Sequence, residues 1–167
     1  VLLLGVLDGL LVSVAISVVL MLRQMSAADI QVLGRLADSH DFVDRQHHPD
    51  ALDVPGVLIV RPNEALFFAN AERILGAALR LMRQSQVEAV VLSLEESPDL
   101  DGTSIEALAA FFAQVRGEGK RLVLARVRHE AREVLQSLPE ASAQQVLLSG
   151  LSVDDAVQLA LSVNSQA

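Results

Sequence analysis

Val87-Glu88-Ala89-Val90-Val91-Leu92-Ser93-Leu94, then Glu95-Glu96-Ser97-Pro98-Asp99-Leu100, then Asp101-Gly102-Thr103-Ser104, is the stretch that decides the fold. The first eight residues form a short, nearly continuous apolar run rich in Val and Leu, as in a strand buried on both faces. An acidic turn ends it. Ile105, Leu108, Ala109, Phe112 and Val115 then recur at helical period, which predicts one apolar stripe on a helix ended by Gly117-Glu118-Gly119. Asp101 is placed to cap that helix, because its carboxylate can accept from the free amide hydrogens of the first turn. Thr103 and Ser104 fall inside that turn. A hydroxyl at the carboxyl end of a buried strand, on a helix N-terminus, is well placed to carry or receive a phosphate.

Working outward, Pro55-Gly56 opens a buried strand, Val57 to Val60. Pro62-Asn63-Glu64 reads as a turn and Ala65 to Ala69 as a second strand, so the short connection predicts an antiparallel hairpin. Asn70 suits the N-cap of a helix to about Gln84 with Ile74, Ala78, Leu81 and Met82 inward. A right-handed crossover would then make the Val87 strand parallel to the one before it. Downstream, Arg121 to Val127 reads as a strand. His129 to Leu138 reads as a helix with Ala131, Val134, Leu135 and Leu138 inward, and Gln145 to Leu148 as a short edge strand. Ser152 caps a last helix to about Val163, with Val153, Ala156, Val157, Ala160 and Leu161 inward. The expected fold is α/β: a mixed, mostly parallel sheet of four to five strands with about four helices, in residues 55–167.

Val1 to Leu22 is one apolar stretch with a single charge, Asp8. At about 1.5 Å per residue it can cross a hydrocarbon core of roughly 30 Å. The only nearby base, Arg23, follows the run, and Leu20-Met21-Leu22 makes a poor cleavage site, so a signal peptide is disfavoured. The reading is a membrane helix entered part-way, belonging to a longer polypeptide. Gly5, Gly9, Ser13 and Ser17 fall four apart and would form a face on which other membrane helices pack closely. Residues 23–54 read as a polar connector. Its His47-His48-Pro49-Asp50 string is a solvated loop before it is a metal site, since adjacent His residues seldom chelate one ion well.

Composition excludes several classes. Among 167 residues there is no Cys, Trp or Tyr, so thiolate metal sites, Cys nucleophiles and base-stacking platforms are ruled out or disfavoured. A net charge of −8 argues against nucleic acid as the main partner. His40, His47, His48 and His129 show no nucleophile–base pattern, and no phosphate-binding glycine loop occurs. No enzyme activity and no cofactor are expected.

Several strings carry a resemblance together. Val32-Leu33-Gly34-Arg35, Pro55-Gly56-Val57-Leu58-Ile59 and Phe68-Ala69-Asn70-Ala71 resemble segments of SulP-type anion transporters, the sulfate permease family. Asp101-Gly102-Thr103-Ser104, followed by Ala107-Leu108, resembles the Asp-x-Ser/Thr-Gly turn of STAS domains, with Ser104 where the family usually has Gly. The resemblance implies the last membrane helix (1–22), a connector (23–54) and a cytoplasmic STAS domain (55–167) of such a transporter. It implies a regulatory or assembly role at the inner (plasma) membrane. The partners would be the bilayer, the transporter's membrane domain and a second copy. It also implies an alternative. Soluble anti-sigma-factor antagonists share the domain and are phosphorylated at the hydroxyl matching Thr103, which switches partner binding. Against that switch, Glu95, Glu96, Asp99 and Asp101 crowd the turn and would repel added phosphate charge. The helix N-terminus offers a nucleotide phosphate only a weak foothold, opposed by the same carboxylates.

Overall fold

The computed structural model describes residues 2–25, 30–37, 39–138, 146–148, 150 and 152–162. A helix, α1 (Leu2–Met25), comes first, followed by two short strands, β1 (Ile30–Arg35) and β2 (Phe42–Asp44). Then come β3 (Val57–Pro62), α2 (Ala71–Gln84), β4 (Ala89–Ser93), α3 (Gly102–Gly117), β5 (Arg121–Ala125), α4 (His129–Ser137), β6 (Val146–Leu148) and α5 (Val153–Ser162). Among the described residues the strands form one six-stranded sheet in the order β2-β1-β3-β4-β5-β6. β3 to β6 are mutually parallel, while β1 is antiparallel to both β2 and β3.

The central strands are apolar throughout because both faces are covered. Leu58, Val60, Val90, Leu92, Leu122 and Leu124 point into a core shared with α2, α3 and α4. The alternate residues Val57, Ile59, Ala89, Val91, Val123 and Ala125 point the other way, into a core closed by Val153, Ala156, Val157 and Ala160 of α5. Ser152 and Asp155 cap α5 reciprocally: the Asp155 amide donates to Ser152 Oγ at 3.1 Å, and the Ser152 amide donates to Asp155 Oδ2 at 3.0 Å. These contacts hold Asp155 below the usual carboxylate range, the Ser152 hydroxyl contributing most.

Two expectations give way to the structure. Ala65 to Ala69 is not a strand. Leu66 alone of its large side chains is buried, and Phe67 and Phe68 are exposed. Three amide hydrogens that a ladder would have used go to side chains instead: Leu66 to Ser97 Oγ, Phe67 to Asn70 Oδ1 and Phe68 to Asp101 Oδ2, at 3.0, 2.8 and 2.8 Å. Asn70 therefore binds this loop, also donating to Glu64 Oε1 and the Ala65 carbonyl, and makes no side-chain bond to α2. The antiparallel partner of β3 is β1, drawn from the residues read as connector, with Ile30 opposite Pro62 and Val32 opposite Val60. The sheet thus has six strands rather than four or five.

β1 is overlaid by the segment that follows β2. Arg35 and Leu52 exchange two backbone hydrogen bonds of 2.8 Å. A side chain on Gly34 would put a Cβ 2.9 Å from Arg45 Cγ, 3.0 Å from Ala51 Cβ and 3.1 Å from the Leu52 carbonyl, so only glycine fits without displacement.

α1 has 24 residues, roughly 36 Å of helix. Its side chains are described for residues 8–20, and every one of those is exposed. Counting only described residues, no helix is long and apolar enough to cross a membrane.

Candidate functional site

The turn singled out in the sequence sits at the carboxyl end of β4. Leu94 donates its amide to the Ala125 carbonyl at 3.0 Å, extending the pairing with β5 one residue beyond the strand. The acidic turn then folds back, the Ser97 amide donating to the Leu94 carbonyl at 3.0 Å. Ser97 is buried, with its hydroxyl holding the Leu66 amide.

Asp101 caps α3 as expected. Its backbone is extended, and Oδ1 accepts from the Ser104 amide at 2.7 Å. The second oxygen accepts from the Phe68 amide, so one carboxylate ties the 65–70 loop to the helix N-terminus. The Ser104 amide, with smaller help from the amides of Phe68 and Thr103, holds Asp101 below its ordinary range although partial burial works the other way.

Thr103 and Ser104 separate in environment. Thr103 is exposed and lines a groove of about 320 Å³ between α2 and α3, beside Glu72, Gly76, Glu106 and Ala110. Ser104 is fully buried. Its Oγ makes no hydrogen bond by geometry among the described residues, yet it lies near enough to the Asp101 carboxylate to help lower that group's pKa. The buried stripe of α3 is Ser104, Leu108, Phe111, Phe112 and Val115, while Ile105 and Ala109 are half-buried. The stripe is turned from the expected one because α3 packs on α2 as well as on the sheet.

Gly9, Ser13 and Ser17 lie exposed on α1, with the Ser13 hydroxyl returned to the Leu10 carbonyl at 2.8 Å. Gly5 belongs to the same helix, and its surroundings fall outside the described side chains. The expected strand at Gln145 appears as β6 from Val146, and Gln145 itself lies outside the described residues. His47 follows β2 and pairs through Nδ1 with Oδ2 of the half-buried Asp44, the last residue of that strand, at 2.6 Å, while His47 itself is exposed. His40 and Arg35 share Asp154 at the start of α5, at 2.7 and 2.8 Å.

What the sequence reading missed is the other half of the site. Asn70 and Ser97, each 3% exposed, hold the loop that Asp101 anchors. An Asn six residues after the turn Pro62-Asn63-Glu64, with two Phe between, was the available signal.

Residues 48–147 match the STAS domain family. The chain is 36% identical over 139 residues to a probable sulfate transporter of Mycobacterium tuberculosis, a match that takes in 80% of this chain and 24% of that protein. It spans about a quarter of the length of that relative. In fold it is similar to the murine Slc26a9 anion transporter in the inward-facing state, with a TM-score of 0.69 and 22% identity over 92% of this chain and 25% of that one. It is also similar to a putative anti-sigma factor antagonist from Thermotoga maritima, with a TM-score of 0.54 and 18% identity over 70% of this chain and 97% of that one. The STAS family match over residues 48–147, on a buried mixed sheet with a helix capped by Asp101 after an acidic turn, and the 36% identity to a sulfate-transporter relative together make this chain a member of the STAS domain family, of the kind carried by SulP-type transporters.

Proposed function

We propose that the chain is the carboxy-terminal part of a secondary transporter for sulfate or a related small anion. In this reading α1 is the last membrane span and the STAS domain lies on the cytoplasmic side of the inner (plasma) membrane, where it regulates or assembles the transporter, as a homodimer with a second copy. The observation that carries it is the 36% identity to a probable sulfate transporter, over more residues than the STAS match itself covers. Two further findings support it. The fold match to the murine anion transporter leaves about 8% of the chain unmatched, roughly 13 residues, fewer than the 24 of α1. Leu10, Leu11, Val12, Val14, Ile16, Val18, Val19 and Leu20 are all at least half exposed, an apolar surface that in water would have no cover.

In such transporters the substrate site lies near the bilayer midplane on broken helices. No residue of this domain is assigned to it. Cysteine labelling at Ser26 in the complete protein tests the arrangement. Protection from an impermeant reagent outside and labelling from inside are expected. Labelling from outside would overturn the orientation.

The second reading is an antagonist-like module switched by phosphorylation at Thr103. The exposed Thr103 hydroxyl on a helix N-terminus favours it. Asp101 weighs against it, because its carboxylate already occupies the amide a phosphate would seek. Under the transporter reading, Thr103→Glu leaves transport close to that of the unaltered protein; a switch would abolish or fully activate it.

A further inference from the structure

The edge of the domain that carries the Asp101 turn also carries its most exposed aromatic side chains. Phe68 is 70% exposed and Phe67 41%, and their rings meet edge to face with centroids 5.6 Å apart. They do not fill the core, which Leu66 already does. Their backbone is fixed by Ser97, Asn70 and Asp101, so the rings are presented on a rigid loop and little ordering is lost when something covers them.

The chain enters the domain at the same edge. Ile30 pairs with Pro62, just before this loop. The five Cα steps from Met25, the end of α1, to Ile30 span at most about 18 Å. The loop and the turn it is tied to, residues 61–73 and 95–106, hold seven carboxylates and two guanidinium groups. Both guanidinium groups already face carboxylates, Arg61 at 3.4 Å from Glu95 and Arg73 at 3.9 Å from Glu64. The result is an apolar centre with an acidic rim.

We infer that the Phe67–Phe68 loop docks on a basic, apolar surface formed by the cytoplasmic loops of the transporter's own membrane-embedded part, an inference that rests on the function proposed above. Charge selects this occupant. Cytoplasmic loops of membrane proteins are rich in Lys and Arg. The cytoplasmic leaflet is anionic and repels the rim. A second copy of the same face would set carboxylates against carboxylates.

The test places p-benzoylphenylalanine at position 68 of the complete protein in native membranes, followed by illumination and mapping of the joined peptides. The expected product joins position 68 to a Lys- or Arg-rich loop of the membrane part, and Glu96→Lys with Asp99→Lys lowers its yield about fivefold. Joining to lipid, joining to the same loop of a second copy, or no product overturns the docking. The two claims fail separately. A complete polypeptide without further membrane helices removes the transporter reading and this inference with it, whereas membrane helices with a product elsewhere remove only the docking.

Discussion

Asp101 holds two backbone amides from two different segments, whereas Thr103 is exposed and caps nothing. Asp101→Ala is therefore expected to lower the melting temperature by about 3 °C or more, and Thr103→Ala by about 1 °C or less. A larger loss at Thr103 would mean the capping assignment is wrong. Asp101 and Asp155 both have folded pKa values below the ordinary 3.8. A depressed carboxylate pKa contributes stability that is fully present above the unfolded value and lost as pH falls through the folded one. Urea melts should thus show no contribution to pH dependence from these two groups between about pH 5 and 7, and a decline below about pH 4. Asp101→Asn with Asp155→Asn makes that acid limb shallower, leaving the share of Asp44, which, against its partial burial, hydrogen bonds from Gln46 and His47 also hold low; an unchanged limb contradicts the assignment. Gly34→Ala is expected to cost about 1–3 kcal/mol through overpacking against Ala51 and the Leu52 carbonyl, since Arg45 alone can swing aside. A urea midpoint equal to that of the unaltered protein would show that the overlying segment yields freely.

Elements were legible in the sequence where burial is two-sided. β3, β4 and β5 read as strands because Val57–Val60, Ala89–Leu92 and Leu122–Ala125 each face one core or the other at every position. β1 and β2 did not. They lie at the sheet's rim, half-buried, and Gln31, Gly34, Arg35 and Asp44 interrupt any alternation. Ala65 to Ala69 was misread for the opposite reason: Phe67 and Phe68 are apolar but face outward, and side-chain acceptors replace the ladder. The Asp101 cap was legible because capping depends on neighbours along the chain, while the partnership with Phe68, 33 residues away, leaves no periodic trace. The rim strands are structural parts of the domain. Ile30 and Leu33 are buried, and losing both removes up to about 3–6 kcal/mol of apolar burial, a large share of a typical domain's stability. A chain of residues 30–167 should melt cooperatively in urea, and one of residues 54–167 should melt at a clearly lower midpoint or aggregate. Equal midpoints would show that β1 and β2 are dispensable.

At the scale of the whole molecule, an apolar helix enters a two-sided α/β domain at the edge that bears Asp101, Phe67 and Phe68. In the transporter proposed above, a domain so placed can act on the equilibrium between transport conformations if it contacts the membrane part differently in each. It would have no means there to choose the anion, because in such transporters the substrate site lies near the bilayer midplane, beyond the reach of its acidic surface at a Debye length of about 8 Å. The most direct test compares the complete protein with one lacking residues 30–167, reconstituted at matched membrane abundance, for uptake of sulfate, bicarbonate and a dicarboxylate. The predicted result is slower transport with the same rank order of anions. A changed rank order, or an unchanged rate, would contradict a regulatory STAS domain.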